Sequence, residues 1–382
     1  MTAIKEAMLP KNDEGNDPND QKADPDFLSK IKPITALTEL TLLSATNRLT
    51  EMEDNLKNDV YIFQDLALSG QITLFYGWPN TGKTIFFLRF IIDAIRDGRV
   101  NAEKIIYVNA DDSYKGLYTK THIAAEYGFK MVSPAEAGIS HQDILILLDG
   151  IANENQAEGV VILLDTLKKF ADMMSKRSQA ELYLTLRKLI AKGGTVIIAG
   201  HANKHKDANE KLIYEGTSDT MNDIDCAYSM YRMSMPEDEV QVVEFRREKD
   251  RGDVIPKVTY QYKKSQGIYY LDMVKSIVRL DSDDADRLVQ EERARELKER
   301  YESELLFVTS LLRENGPMNQ TAILNALKEN KDLSGEITIR GLRNALSQLN
   351  EIAWTSKHGT KNAKTYTLIG QEVSQYSRAT RG

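Results

Sequence analysis

Short apolar runs recur through the middle of the chain: QITLFY (71–76), KIIYVNA (104–110), GVVILLD (159–165) and TVIIAG (195–200). Their length and β-branched content predict strands buried on both faces. Between them, apolar residues recur at helical spacing in TIFFLRFIIDAIRDG (84–98), HQDILILLDGIANEN (141–155) and QAELYLTLRKLIAKG (179–193). This alternation predicts an α/β fold, a mostly parallel sheet with helices on both faces and ligands at the carboxyl ends of its strands. After residue 225 the pattern changes. CAYSMYRM, VQVVEFRRE, KVTYQYK and IYYLD follow one another without room for helices, so antiparallel strands should close the sheet.

Residues 273–302 contain the charged run DSDDADRLVQEERARELKER (281–300), which predicts a helical linker. Residues 303–370 then form a compact pattern: ELLFVTSLLRENG, QTAILNALKEN and TIRGLRNALSQLNE, followed by AWTSKHGTKNAKTYTLI with Gly359 near the tip of a two-strand ribbon. Three short amphipathic helices and a ribbon outline a small α+β winged helix. Residues 1–30 are rich in Asn, Asp, Pro and Lys and are expected to be a disordered tail. A helical segment should occupy 31–58, and 371–382 reads as a flexible tail. The main domain then spans 59–272.

At 382 residues the chain can hold one large and one smaller domain. Its single cysteine, Cys226, excludes an intramolecular disulfide framework and a multi-cysteine zinc site. The longest apolar stretches fall far short of the roughly 20 residues that span a bilayer, and no basic segment precedes an apolar run at the N-terminus. No membrane partner and a soluble, cytoplasmic protein are expected. The net charge of −7 argues against indiscriminate polyanion binding, but the charge is unevenly spread. Between Ile337 and Leu368, Arg340, Arg343, Lys357, Lys361 and Lys364 meet only one acid, Glu351, while acidic residues crowd 12–26 and 281–286.

The stretch Gly77-Trp78-Pro79-Asn80-Thr81-Gly82-Lys83-Thr84 satisfies G-x-x-x-x-G-K-[ST] between an apolar strand and an apolar helix. In this context the glycines let backbone N–H groups turn inward around phosphates, and the helix N-terminus adds its positive dipole end. Lys83 should bridge the β- and γ-phosphates of ATP, and the Thr84 hydroxyl should ligate Mg²⁺. Asp165, closing GVVILLD, is the expected second carboxylate on the metal's side. Asp111 and Asp112 follow the strand IIYVNA. Asp111 is the candidate that orients the attacking water, and Asp112 the candidate cap of the next helix.

The ordered set GWPNTGKT, YVNADDS, VVILLDTL, IIAGHANK and EGTSDTMNDIDCAYSMYR resembles the RecA-like hexameric helicase ATPases, in particular their plasmid RepA-like branch, with DnaB-type replicative helicases as cousins. The resemblance covers about residues 60–270. It implies that Asp111 stands where the family has its catalytic acid, although that acid is usually the longer glutamate. It also implies that His201 is a sensor of the γ-phosphate, and that Lys249 and Arg251 act on the nucleotide of a neighbouring subunit. Taken without the resemblance, His201 is a strand-end histidine and Lys249/Arg251 a charged turn. Asn80 stands where many relatives have glycine. The loops after the Asp165 and His201 strands would line a pore and track single-stranded DNA. Their candidates are Lys168, Lys169, Lys176 and Arg177 in one, and Lys204, Lys206 and Lys211 in the other.

The C-terminal unit points to nucleic acid by itself. Arg340, Arg343, Asn344 and Ser347 recur at helical spacing and suit a major groove, while Lys357, His358, Lys361 and Lys364 in the wing suit phosphates. Winged helices also serve as protein-interaction modules. The expected protein is an ATP- and Mg²⁺-dependent DNA helicase that forms a hexameric ring and serves replication of a plasmid, phage or mobile element. The alternative is an ATPase switch, a regulator or recombination mediator, that uses the winged helix to bind duplex DNA. A kinase reading is disfavoured because no acceptor-binding lid is evident and many strands follow residue 225.

Overall fold

A computed structural model describes residues 36–42, 44–50, 60–171, 175–207, 211–216, 218–233, 239–330, 336–358 and 364–370. The segments 1–30 and 371–382, read above as tails, lie outside the described residues. The chain divides into two units, Met1–Asp59 and Val60–Gly382. In the first, a short helix α1 (Ala36–Leu42) and a 3₁₀ turn (Ala45–Arg48) fall within the expected helical segment, with Leu37, Leu42 and Leu49 exposed.

The second unit opens with a small antiparallel pair, β1 (Tyr61–Phe63) and β2 (Ala67–Leu68). Then come β3 (Ile72–Gly77), α2 (Lys83–Arg96), β4 (Ile105–Asn109), α3 (Tyr114–Tyr127), β5 (Lys130–Val132), α4 (Pro134–Ala137), α5 (His141–Asn153) and β6 (Val161–Asp165). They are followed by α6 (Lys176–Ala191), β7 (Thr195–Lys206), β8 (Leu212–Tyr214), α7 (Ser218–Asp223), β9 (Cys226–Met233), β10 (Val240–Lys249), β11 (Lys257–Lys263), α8 (Tyr270–Lys275) and β12 (Val278–Arg279). The sheet order is β12-β11-β10-β9-β3-β7-β6-β4-β5, parallel from β9 to β5 and antiparallel from β9 to β12. The structure is thus mixed α/β, with a large, mostly parallel central sheet flanked by helices.

Both faces of β3 are apolar because both are covered. Ile72, Leu74 and Tyr76 join the core under α5 and α6, whereas Phe75 joins Phe86, Phe87 and Phe90 of α2 on the other side. On the α2 side the rings pack edge-on and tilted, with Phe86 against Phe245 at 5.1 Å and Phe63 against Phe90 at 5.0 Å, and Phe75 stacks on Tyr228 at 5.5 Å. This packing fixes the helix that follows the glycine loop. Removing one such ring costs about 3–5 kcal/mol.

Three local features depart from the sequence pattern. β7 runs twelve residues, well past TVIIAG, because β8 supplies a ladder for its outer part, Ala202 opposite Tyr214 and Lys206 opposite Leu212. IYYLD is not a strand. Its end begins α8, where Val274 is buried in the core and Tyr270, Leu271 and Met273 pack against it. The α3–β5 unit was not foreseen, since YKGLYTKTHIAAEY buries only Lys120, Ile123 and Ala124 and so lacks a strong apolar stripe.

Beyond the sheet, α9 (Ser282–Arg300) carries the charged run as a helix. The rest is α10 (Glu302–Asn315), β13 (Met318–Asn319), α11 (Gln320–Glu329), α12 (Ile339–Gln348), β14 (Trp354–His358) and β15 (Lys364–Leu368). The antiparallel order is β13-β15-β14. A separate core of Val308, Leu312, Ile323, Leu342, Leu346 and Trp354 holds these elements together. Asn319 and Thr338 cap α11 and α12 by accepting from Ala322 N (2.8 Å) and Gly341 N (2.9 Å).

Candidate functional site

The glycine loop leaves β3 at the carboxyl edge of the sheet. Gly77 has no room for a side chain, because a Cβ there would lie 2.8 Å from the Met230 carbonyl. Gly82 takes φ +99°, a left-handed conformation that favours glycine, and α2 starts at the next residue. Asn80 also has positive φ, +61°, which asparagine tolerates better than most residues. Thus the loop accepts asparagine where glycine would be commonplace. Pro79, Asn80, Gly82, Lys83 and Thr84 line a cleft of about 490 Å³. Trp78 turns the other way: its Nε1–H donates to the Asn203 carbonyl (2.8 Å) in the β7–β8 hairpin, and the Lys206 ammonium lies over its ring at 5.6 Å. Thr81 is buried and donates to the Trp78 carbonyl at 2.7 Å.

Lys83 is buried, with its ammonium donating to the Gly77 and Trp78 carbonyls, each at 3.0 Å. Burial pulls its pKa down to about 8; the Asp165 charge opposes that shift and Lys168 adds to it. Thr84 Oγ1 donates to Asp165 Oδ2 at 2.7 Å. The same carboxylate oxygen accepts from the Tyr107 hydroxyl at 2.7 Å. Tyr107 is fully buried, and burial and the adjacent Asp165 hold its phenol well above the ordinary range. Sequence reasoning overlooked Tyr107, although a hydroxyl in the middle of an apolar strand has to find a partner.

Parallel pairing sets Asn109 of β4 beside Asp165 of β6, so Asp111 emerges next to it. Asp111 lines the cleft, and its Oδ1 lies 3.1 Å from Lys169 Nζ. Asp112 is not the helix cap. Ser113 takes that place, accepting from Gly116 N, while Asp112 accepts from both Asn109 Nδ2 and Lys120 Nζ. A serine one residue nearer the helix out-competes the aspartate, whose carboxylate is claimed by the buried Lys120. His201 sits level with Gly77 across the β3–β7 pair. Its Nε2 is buried without a hydrogen-bond partner. Burial, then the Lys83 and Lys168 charges, lower its pKa to about 4, so the imidazole is neutral at physiological pH.

No protein-family model matches the chain, and no curated protein matches it either.

The structure gathers Lys83, Thr84, Asp165, Asp111 and His201 at one cleft. It adds Lys120, Arg232, Tyr262, Lys264 and Tyr270, which local sequence could not flag because sheet pairing brings in Arg232 and Tyr262, and helix packing brings in Lys120 and Tyr270. Lys249 and Arg251 are elsewhere. Lys249 ends β10 and Arg251 follows it; β10 runs antiparallel to β9, which puts both at the amino-terminal edge of the parallel strands. There Lys249 Nζ donates to the Met221 (2.6 Å) and Asn222 (3.0 Å) carbonyls, and Arg251 pairs with Asp225 at 3.2 Å. Within one chain they cannot serve the cleft.

Among the loop candidates, Lys168, Lys204 and Lys211 are exposed. Lys169 pairs with Asp111, Arg177 with Glu181 at 3.0 Å, and Lys176 opens α6. On α12, Arg340, Arg343, Asn344 and Ser347 are all exposed, opposite a buried face of Leu342, Ala345 and Leu346. Lys357, His358 and Lys364 are exposed on the ribbon, whereas Lys361 lies outside the described residues.

A divalent cation fits Thr84 and Asp165 in one limited sense. Among the described residues no group of three or more His, Cys, Asp or Glu could hold a metal. One hydroxyl and one carboxylate suit a hard ion that keeps most of its ligands as water and phosphate oxygen, as Mg²⁺ does.

Proposed function

We propose that the chain is an ATP-driven, ring-forming motor on DNA, a helicase or translocase of RepA-like type with a RecA-like core and a C-terminal winged helix. The observation that carries this reading is the Thr84–Asp165 hydrogen bond of 2.7 Å beneath the buried Lys83, at the end of a loop bent by Gly77 and Gly82. A hydroxyl, a carboxylate and a buried ammonium converge where backbone N–H groups and a helix N-terminus also favour anions.

The loop cradles the phosphates of ATP, and Lys83 neutralises their charge. Thr84 and Asp165 would hold Mg²⁺, which supplies Lewis-acid neutralisation of the phosphate oxygens. Asp111 orients a water and accepts its proton as that water attacks. His201, neutral and with Nε2 unpartnered, can hydrogen-bond a phosphate oxygen and carry its loss along β7 into the β7–β8 hairpin. Lys249 and Arg251, held here by two carbonyls and by Asp225, would have to leave those partners to act in a neighbouring subunit's site of a hexameric ring. Single-stranded DNA would meet the turn after β6 and the β7–β8 hairpin, which carries Lys204 and Lys206 in β7 itself, and duplex DNA would meet the exposed face of α12.

The test is steady-state ATP turnover with and without unstructured single-stranded DNA, beside a Lys83→Ala control. Stimulation that disappears in the control supports the motor. Turnover that ignores single strands but responds to duplex replaces it with the switch reading, in which ATP governs assembly on DNA. Absence of turnover under every condition overturns the role given to Asp111.

A further inference from the structure

The groups at the cleft are not all free to act. Asp111 has its carboxylate 3.1 Å from Lys169, in the single helical turn Leu167–Lys169 that follows Asp165. The two residues follow the neighbouring parallel strands β4 and β6, beyond the carboxyl edge of the sheet. Both are part-exposed, 39% for Lys169 and 46% for Asp111. An exposed pair of this kind adds little to stability, and its partners exchange readily. A carboxylate engaged with an ammonium is a poorer acceptor for a water proton.

We infer that the Asp111–Lys169 pair is a latch: Lys169 restrains the water-orienting carboxylate until a nucleic-acid phosphate takes the lysine. This rests on the motor reading and supplies its regulation.

Three further observations support the latch, and the first favours a polyanion as the release. Lys169 is next to the exposed Lys168, and Lys176 and Arg177 open the following helix, so cations are dense here in a chain of net charge −7. Lys168 is close enough to depress both Lys83 and His201, so the turn carrying the latch is electrostatically in register with the site. Asp112, the other acid of the β4 exit, is committed to Lys120 and Asn109 and does not compete for Lys169. The latch thus gives single-strand binding a direct route to turnover, through a change of partner and no change of fold. Lys169 is a positioning residue, since it acts only through Asp111.

The experiment compares ATP turnover of the full chain with and without poly-deoxythymidine for the wild type, Lys169→Met, Lys169→Arg and Asp111→Asn. Lys169→Met should turn over about 1.5-fold to fivefold faster than the wild type without DNA, the range an exposed ion pair can supply. Its ratio of stimulated to unstimulated rate should fall toward one. Lys169→Arg should restore both wild-type values, which a general structural effect at this position would not require. The latch is overturned if Lys169→Met has an unchanged or lower basal rate with stimulation intact. It is equally overturned if Asp111→Asn turns over like the wild type. A wild type that hydrolyses ATP but ignores DNA refutes the motor, and with it the release step. A wild type indistinguishable from Lys83→Ala refutes the ATPase itself.

Discussion

The two edges of the parallel sheet carry similar charges and use them in opposite ways. At the amino-terminal edge, Asp225 accepts from Arg187 at 2.8 Å, Arg251 at 3.2 Å and the Ile72 amide at 2.9 Å, while Lys249 finds two carbonyls. These charged groups are paired within the chain. At the carboxyl edge, Lys83 is buried with its pKa depressed, and His201 keeps an orphaned Nε2. Lys83 has the same two-carbonyl pairing as Lys249, so it is the orphaned Nε2 of His201 and the open cleft beside it that mark where a ligand is expected. Charge alone does not separate a site from a brace; an open cleft lined by an unpartnered imidazole does.

The sharpest way to break this comparison is Lys83→Ala. It should lower ATP turnover by about 10²–10³, the cost of losing one preorganised donor to developing charge, while leaving the unfolding midpoint in urea unchanged or raised. Asp225→Ala should do the reverse. It strands Arg187, Arg251 and the Ile72 amide and should cost about 2–4 kcal/mol in urea unfolding, with nucleotide affinity of the folded fraction retained. An Asp225→Ala protein as stable as the wild type would deny the amino-terminal edge its bracing role.

A third prediction concerns pH. With Lys83 lowered to about 8, the ammonium is charged below that pH and meets ATP ready to bind. Above it, each binding event must take up a proton. Affinity for a non-hydrolysable ATP analogue should therefore be flat below pH 8 and weaken up to ~10-fold per pH unit above it. Equilibrium titration of the wild type and Lys83→Ala checks this, since the variant should lose the dependence. The smallest effect is expected from Tyr107→Phe, which removes one hydrogen bond to Asp165 and should weaken nucleotide binding by about 1 kcal/mol. Binding isotherms at fixed Mg²⁺ would read it.

Much of the α/β core is legible in short apolar runs because a strand buried on both faces must be apolar throughout, as β6 and the inner half of β7 are. The glycine loop is legible because its geometry tolerates few residue types. Other features are set by pairing between distant segments. Arg232 and Tyr262 reach the cleft only because β9 and β11 flank β10, and nothing local to either residue records that. The helix at Tyr270 was hidden for a related reason: IYYLD has strand-like composition, and only its docking on the core decides the matter. Ser113 displaced Asp112 as a cap by one position, the usual margin of uncertainty at a helix end.

Trp78 and Trp354 are the only two tryptophans of the chain. One belongs to the loop at the cleft, tied to the hairpin through Asn203, and the other is completely enclosed in the C-terminal core. The protein therefore carries two tryptophan fluorophores with separate reporting territories. In a Trp354→Phe background, emission would come from Trp78 alone. Stopped-flow mixing with nucleotide would then time the movement of that loop without any attached dye.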